Sequence, residues 1–299
     1  MALHLKQTST GDKYFDGDWE ALVKYQEDAS KSLKHKINYS LDLQLYPEPF
    51  AGNPDAPVYI LNGNPGIGGA DRFMMLRNGW DSMILNSYNP TDASTMYWLD
   101  ENWENKLFSP NDLADVHTYR AGFNWWLGNR GTSGWTYGIA SELKNSCQNL
   151  QEKVFNVEYF PYHSRKLKMD LINNYINKRA NYSTSVVSIV NAYLRKALEE
   201  GKVFIIMRCE KEWIDRLNNL LESPVEIKEI KSIQINSKGT SRKLYDHNII
   251  TLKNPQRTWL TAGNILEDTS NTSNSHARWC LICSKLGCIL NSEKNLPIF

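Results

Sequence analysis

Residues 57–69 read Pro-Val-Tyr-Ile-Leu-Asn-Gly-Asn-Pro-Gly-Ile-Gly-Gly, and this stretch decides the fold that we predict. Its first five residues form a short, apolar, β-rich run of the kind that parallel sheets bury on both faces. A glycine-rich loop containing a proline follows at once, which indicates the end of a strand. In an open α/β sheet, ligands bind beyond the carboxyl ends of the strands, so this loop lies where a site is expected.

Three further apolar runs follow, with helical patterns between the later ones. The strand candidates are Val154–Phe160, Val203–Met207 and His247–Leu252, and residues 185–200 and 210–221 have helical periodicity. Strands that alternate with helices in this way predict an α/β fold, a three-layer α/β/α arrangement around a central, mainly parallel sheet.

The other segments are expected to belong to one domain that spans residues 1–299. Residues 1–45 are predicted to form an N-terminal helical extension, which includes a polar amphipathic helix within residues 17–33. Prolines in residues 46–54 forbid a helix there. Residues 80–129 are aromatic and turn-rich without a clear period, so we expect an insertion with short helices whose tryptophans pack onto the domain.

The composition is that of a globular protein. The 299 residues are 41% hydrophobic and 22% charged, and 34 basic against 33 acidic side chains give a net charge of +1. A polyanionic partner would therefore have to be held by a local basic surface. No apolar stretch reaches the ~20 residues that span a bilayer, and the first residues lack the apolar core of a signal peptide. We expect a cytoplasmic monomer with no membrane partner, whose five cysteines are reduced thiols.

The glycine loop does not match the common motifs of other chemistries. A Walker A loop ends in Gly-Lys-Ser/Thr, and the dinucleotide fingerprint needs a third glycine where this chain has Asp71. No histidine has a glutamate two residues later, as zinc deaminases require, and the Gly-x-Ser-x-Gly elbow is absent.

Two Asn-Pro motifs remain, each directly after a predicted strand. Gly63-Asn64-Pro65-Gly66 follows the first strand, and Asn254-Pro255-Gln256-Arg257 follows the last. This pairing resembles the uracil-DNA glycosylase superfamily, in which a water-positioning motif follows the first strand and a second motif follows the last. The nearest pattern is that of the mismatch-specific thymine/uracil branch, Gly-Ile-Asn-Pro-Gly with a later Asn-Pro-Ser. Asn62, Gly63 and Gln256 depart from that pattern.

The resemblance implies a monofunctional DNA glycosylase that uses no cofactor or metal and leaves an abasic site. By that resemblance, Asn64 would orient the attacking water through its side-chain carbonyl, and Asn254 would donate to the departing base. Base excision passes through an oxocarbenium-like sugar, so it needs an oriented water and donors at the leaving group. The alternative for Asn64 is a turn-capping role before Pro65.

The base pocket would lie between the glycine loop and the end of the second strand. The resemblance implies that Gly63, Pro65 and Gly66 shape it and that Tyr162 and His163 contact the base edge or a phosphate. Gly66 stands where the most uracil-selective branch has a tyrosine that blocks bulk at C5, so uracil, thymine or a C5-modified cytosine could enter. DNA repair and defence against modified foreign DNA both fit such a substrate. The alternatives are a glycine that serves only the turn and a solvated loop histidine.

DNA is the expected partner, held by residues of the same two loops. Glycosylases flip the target base and fill the gap with a side chain. Arg257 or Trp259 lies at the wedge position that the resemblance implies. The residues expected to contact DNA are Arg165, Lys166, Lys253, Gln256, Arg257 and Trp259. The alternative is a scattered, solvated basic face.

Three alternatives concern other chemistries. The spacing of Cys280, Cys283 and Cys288 invites a zinc or iron–sulfur interpretation. The spacing of Trp279, Ile282, Cys283 and Leu286 also describes the apolar face of a closing helix, which we favour. A catalytically weak, nucleic-acid-binding member of the fold is favoured by asparagine in place of aspartate. An unrelated α/β enzyme would use the glycine loop to bind a nucleotide.

Overall fold

A five-stranded sheet forms the centre of the structure. The computed structural model describes residues 3–67, 80–89, 147, 149–173, 184–220, 249–251 and 281–287. In chain order its elements are β1 (Leu5–Gln7), β2 (Lys13–Phe15), α1 (Trp19–Ala29), α2 (Leu33–Tyr39), β3 (Phe50–Gly52), β4 (Val58–Asn62), α3 (Trp80–Ser87), β5 (Val154–Glu158), α4 (Met169–Ile172), α5 (Thr184–Glu199), β6 (Val203–Ile206), α6 (Glu210–Leu220), β7 (Ile249–Thr251) and α7 (281–286).

The strand order in the sheet is β3-β5-β4-β6-β7. Strand β3 runs antiparallel to β5, and the other neighbours are parallel. Ile60 at the centre of β4 lies between Asn156 of β5 and Ile205 of β6. The predicted α/β class with a mainly parallel sheet is therefore confirmed, and each of the four predicted strands is present.

Two short antiparallel elements were not predicted. Strand β3 lies within residues 46–54, the proline-rich segment. Its Phe50 and Ala51 are buried, and Gly52 takes a φ of +102°. Strands β1 and β2 form a hairpin in the segment predicted to be helical. Each of these strands has only three residues, which is too short to display the alternation that reveals a strand.

Aromatic rings fill one face of the sheet. The ring of Tyr59 on β4 lies 5.0 Å from that of Phe155 and 5.3 Å from that of Phe204. Tyr193 of α5 packs edge-on against Phe155 at 5.8 Å. Helix α5 thus covers this face, and it also contacts α6. Burial of rings of this size is a large favourable term in folding.

The β1–β2 hairpin and α1 pack against the residues that directly follow β5. The Tyr162 hydroxyl donates a hydrogen bond to Asp18 Oδ2 at 2.5 Å and accepts one from the Phe15 amide at 3.0 Å. Tyr25 of α1 stacks on Phe160 with ring centroids 6.0 Å apart. The N-terminal elements are therefore packed onto the end of the sheet that carries the glycine loop.

The cysteines differ in part from the prediction. Cys147 is disulfide-bonded, which contradicts the expectation that all five are reduced, whereas Cys209 and Cys283 are free thiols. Ile282, Cys283 and Leu286 are all buried along α7, as the apolar-face interpretation predicts. Trp279, Cys280 and Cys288 lie outside the described residues.

Within the described ranges, no His, Cys, Asp and Glu side chains group as metal ligands, and no helix combines the length and apolarity that crossing a bilayer requires. Of the predicted insertion at residues 80–129, only residues 80–89, which contain α3, are described.

Candidate functional site

The glycine loop lies at the point where the strand order reverses. From β4 the chain proceeds to β5 on one side, and from β6 it proceeds to β7 on the other, although β4 and β6 are neighbours. Their carboxyl ends therefore lead into connections that diverge, and a switch point of this kind is where a ligand-binding crevice is expected. The loop after β4 would form one wall of this candidate crevice, and Arg208 and Cys209 after β6 would form the other.

Gly63 allows these two walls to approach closely. A Cβ atom at this position would lie 3.1 Å from the Cys209 Sγ, 3.3 Å from a methyl group of Leu167 and 3.6 Å from the Arg208 Cβ. The residue is buried and its φ is not in the left-handed region, so close packing accounts for the glycine.

Hydrogen bonds hold the start of the loop in one conformation. The indole of Trp213 on α6 donates to the Asn62 carbonyl at 2.7 Å, and the Phe160 amide donates to the Gly63 carbonyl at 2.9 Å. The start of the loop is thus held by one hydrogen bond from α6 and one from the chain just after β5. Fixed polar groups of this kind need little reorganisation during a reaction.

The Asn64 side chain is oriented by its amide nitrogen. Nδ2 donates to the Ser164 Oγ at 2.9 Å and lies 3.2 Å from the Ser164 carbonyl oxygen and 3.1 Å from that of Pro65. Because carbonyl oxygens can only accept, the nitrogen must face them. No donor among the described residues reaches Oδ1, and the side chain is half-buried. The carbonyl oxygen is thus directed away from the anchoring contacts and can accept a hydrogen bond from water.

Gly66 lies further out on the loop. It is exposed, and none of the described residues comes within 4 Å of the place that a Cβ would occupy. Its φ is not positive, so the turn itself does not require glycine here. Pro65, by contrast, is half-buried between Asn64 and Gly66.

His163 supports the loop from behind. Its Nδ1 lies 2.9 Å from the Gly66 carbonyl oxygen, and its Nε2 lies 3.0 Å from that of Tyr46 and 3.3 Å from Glu48 Oε1. Both ring nitrogens face acceptors, so both contacts are hydrogen bonds only when the ring carries two protons. His163 and Glu48 are buried, and their contact joins the glycine loop to the proline-rich segment of residues 46–54.

Tyr162 does not occupy the position that the base-pocket hypothesis needs. Its side chain is 1% exposed, and its hydroxyl is already bonded to Asp18 and to the Phe15 amide. The hypothesis that it contacts a base edge is therefore corrected, because the ring belongs to the packing of the N-terminal elements. Its carbonyl oxygen lies 3.5 Å from the Asn64 nitrogen. His163 is likewise engaged through both nitrogens, and its contacts support the glycine loop.

A buried chain of polar side chains connects β4 with β5 beneath the loop. Asn62 Nδ2 donates to Asn156 Oδ1 at 2.7 Å, and Asn156 Nδ2 donates to Glu158 Oε1 at 3.0 Å. Glu158 Oε2 is buried and has no hydrogen-bond partner within the described structure. Burial, reinforced by the charge of Glu48, raises the pKa of Glu158 to about 8, against the hydrogen bond from Asn156 and the charges of Arg208 and His163. A carboxyl group with this pKa is largely protonated at neutral pH.

The opposite wall contributes a thiol and an exposed cation. Burial raises the pKa of Cys209 to about 12, so the group stays a neutral thiol and is a poor nucleophile. Arg208, the preceding residue, is exposed. Neither residue was identified from the sequence.

Of the residues predicted to contact DNA, the structure places two. Arg165 and Lys166 are exposed on the loop after β5, directly after the serine that anchors Asn64. The second motif lies outside the described residues. This applies to Lys253, Asn254, Gln256, Arg257 and Trp259.

Four supporting residues were missed from the sequence, namely Glu48, Asn62, Asn156 and Glu158. A signal was available for two of them. Asn156 and Glu158 are polar residues two apart in an otherwise apolar, buried strand, so they share one face of the sheet. Polar groups that a strand buries need partners, and parallel pairing with β4 supplies Asn62.

Comparisons with protein-family models, with curated proteins and with solved structures found no match to this chain. Function is therefore inferred from the residues of the site.

Proposed function

We propose that this chain is a monofunctional DNA glycosylase with the α/β/α architecture of the uracil-DNA glycosylase superfamily. It hydrolyses the N-glycosidic bond of a flipped uracil, thymine or C5-modified cytosine and leaves an abasic site. It acts in DNA repair or in defence against modified foreign DNA, without a cofactor.

The observation that carries the proposal is the orientation of Asn64. Its nitrogen is fixed by Ser164 and by backbone carbonyls, and no described donor occupies its carbonyl oxygen. A carbonyl held in this way can position a water against the anomeric carbon of a sugar. It is a weaker base than a carboxylate, so a slow enzyme is expected.

The proposed hydrolysis does not require a strong nucleophile. The sugar acquires oxocarbenium character as the base departs, and the water adds to it while its proton passes to solvent or to a neighbouring acceptor. In this proposal Asn254 donates to the departing base, and Arg257 or Trp259 supports the flipped state. Exposed Arg165 and Lys166 are suited to contact phosphates near the same rim.

The decisive experiment measures release of free base from duplex and single-stranded oligonucleotides. The substrates carry uracil, thymine opposite guanine, or C5-modified cytosines, and the proteins are wild type, Asn64→Ala and the control Asn53→Ala. Asn53 caps a turn at the opposite end of β4. We expect wild type and the control to release one of these bases and Asn64→Ala to lose at least about a hundredfold in rate.

Other results identify the other functions. DNA binding by wild type without release of any base would favour the nucleic-acid-binding member of the fold. Thermal stabilisation by free nucleotides, but not by DNA, would favour an unrelated nucleotide-binding enzyme. Equal rates for wild type and Asn64→Ala would contradict the proposed role of Asn64.

Gly66 offers a separate test of the substrate class. Because no described atom lies near its missing Cβ, Gly66→Tyr is expected to fold like wild type and to project a ring into the proposed pocket. We expect it to lower the release of C5-substituted bases more than that of uracil, with Gly66→Ala as the intermediate case. Equal loss on all substrates would show that residue 66 does not face C5 of the base.

A further inference from the structure

A basic surface continues from the candidate site onto the N-terminal helix α2. Ser164, which anchors Asn64, also pairs with Leu41 in an isolated antiparallel bridge. The Lys166 amide donates to the Asn38 carbonyl of α2 at 2.8 Å, and the Lys168 ammonium lies 5.5 Å from the centre of the Tyr39 ring. The loop after β5 and α2 therefore form one continuous surface beside the glycine loop.

The ionisable side chains of α2 and residues 165–168 include cations but no carboxylate. Helix α2 has the sequence Leu-Lys-His-Lys-Ile-Asn-Tyr and contains no acidic residue. Lys34, Lys36, Arg165 and Lys166 are all exposed, and no carboxylate of the described residues forms an ion pair with any of them. Since the whole chain has a net charge of only +1, the local excess is not a consequence of overall composition.

Two apolar side chains stand among these cations. Leu33 is 75% exposed and Ile37 is 54% exposed, and they are four residues apart on α2, hence on one side of the helix. The helix buries none of its own residues. It is nevertheless held in place by the Ser32 cap and by the contacts with the loop after β5.

We propose that α2 and residues 165–168 form a nucleic-acid docking surface that leads into the candidate site. Lys34, Lys36, Arg165 and Lys166 bind successive phosphates, and Leu33 and Ile37 contact the sugars and the faces of bases next to the flipped nucleotide. Charge complementarity supports this occupant, because neighbouring exposed cations that no described carboxylate neutralises match a phosphate backbone. Apolar side chains beside such cations are used by proteins that open the base stack.

This inference rests on the proposed function, because the strand has to be delivered to the loop of Asn64. A membrane is the less suitable partner. A helix of seven residues with two exposed apolar side chains offers little surface for insertion, and half of the cations lie on a loop.

The experiment measures binding of a fluorescein-labelled DNA duplex with one uracil–guanine mismatch by anisotropy, over a series of salt concentrations. The proteins are wild type, the double variant Lys34→Ala/Lys36→Ala, the variant Leu33→Ser/Ile37→Ser and the control Lys196→Ala/Lys285→Ala. Lys196 and Lys285 are exposed near the amino ends of the strands. Replacing both with alanine removes two positive charges, as the Lys34→Ala/Lys36→Ala variant does. Far-UV circular dichroism and the unfolding midpoint establish that each variant is folded.

The three variants are expected to change DNA binding in different ways. Loss of Lys34 and Lys36 should weaken binding at least about tenfold at moderate salt and lower the slope of log K against log salt by about two. Loss of Leu33 and Ile37 should weaken binding with the slope unchanged. The control should match wild type.

The outcomes separate this inference from the proposed function. Unchanged affinity and slope for Lys34→Ala/Lys36→Ala, with base release by wild type intact, would overturn the docking surface alone. Loss of binding in this variant, when wild type releases no base, would support the docking surface and count against the glycosylase. Binding of anionic vesicles in preference to DNA would overturn the inference in favour of a membrane partner.

Discussion

At the scale of single residues, the surroundings of Asn64 select an amide and disfavour a carboxylate. Its nitrogen faces the carbonyl oxygens of Pro65 and Ser164, and both of these can only accept hydrogen bonds. An aspartate would place a second oxygen against them. The asparagine is therefore explained by local hydrogen bonding, whatever its part in chemistry.

We expect Asn64→Asp to destabilise the protein by about 1–3 kcal/mol at neutral pH and to release no more base than wild type. An ionised carboxylate would leave two carbonyls unpaired and repel them. Urea unfolding at several pH values is the measurement, with Asn64→Ala as the matched reference. The cost should diminish at acidic pH, where the carboxyl group can donate. A variant as stable as wild type and faster in base release would refute this account.

Glu158 is expected to make stability depend on pH. Its folded pKa of about 8 lies above the ordinary value of 4.5, so between these values the folded protein keeps a proton that the unfolded chain has released. The free energy of unfolding therefore falls as pH rises through this window, by up to about 1.4 kcal/mol per pH unit from this group. Below the window its contribution is fully present.

Glu158→Gln removes the titration and keeps the shape of the side chain. Between about pH 5 and about pH 8, we expect the free energy of unfolding to decline less for the variant than for wild type. The stability of the variant relative to wild type should therefore increase as pH rises. Glu152→Gln, on the turn before β5, is the control for a loss of charge. Parallel pH profiles for wild type and Glu158→Gln would show that burial does not perturb this carboxyl group.

At the scale of elements, helical periodicity and apolar runs predict the structure correctly, whereas strands outside such runs are missed. The patterns at residues 185–200 and 210–221 correspond to α5 and α6 within one residue at each end. Apolar spacing over several turns identifies a helix because only one face of it is buried. Strand β3 has only three residues and does not lie in a longer apolar run, so it carries no comparable signal and depends on its partner strand β5.

Tyr162→Phe tests how firmly the N-terminal elements are attached. The substitution leaves the ring in place but removes a donor from the buried Asp18 carboxylate and an acceptor from the Phe15 amide. We expect a loss of about 1–3 kcal/mol in the free energy of unfolding, because both partners stay buried. Tyr193→Phe, whose ring is only partly buried in α5, should cost less than about 0.5 kcal/mol. Equal losses in chemical denaturation would contradict the proposed anchoring role.

At the scale of the whole molecule, one hydrophobic cluster joins the described elements. It extends from Phe15 in the hairpin through the sheet to Leu286 in α7. Elements that share one core are expected to unfold together.

Ile205→Ala examines this cooperativity. Ile205 is fully buried on β6, between β4 and β7, so we expect a loss of about 2–5 kcal/mol from the lost methyl groups and the cavity. Tryptophan fluorescence and far-UV circular dichroism should report the same shifted midpoint. Ile37→Ala on the exposed side of α2 should change stability by less than about 0.5 kcal/mol. Two separate transitions in Ile205→Ala would mean that the N-terminal elements fold independently.

By itself, the sequence determined the α/β class, the four parallel strands and the place of the glycine loop. These features follow from local patterns, since apolar runs, helical periodicity and glycines act through neighbouring residues. The tertiary structure alone decided which polar groups meet across the chain: Asn62 with Asn156, His163 with Glu48, and Asn64 with Ser164. It also placed Tyr162 in the core and α2 beside the loop. Such contacts join residues up to about a hundred and fifty positions apart, and they depend on strand order and register, which no local pattern contains.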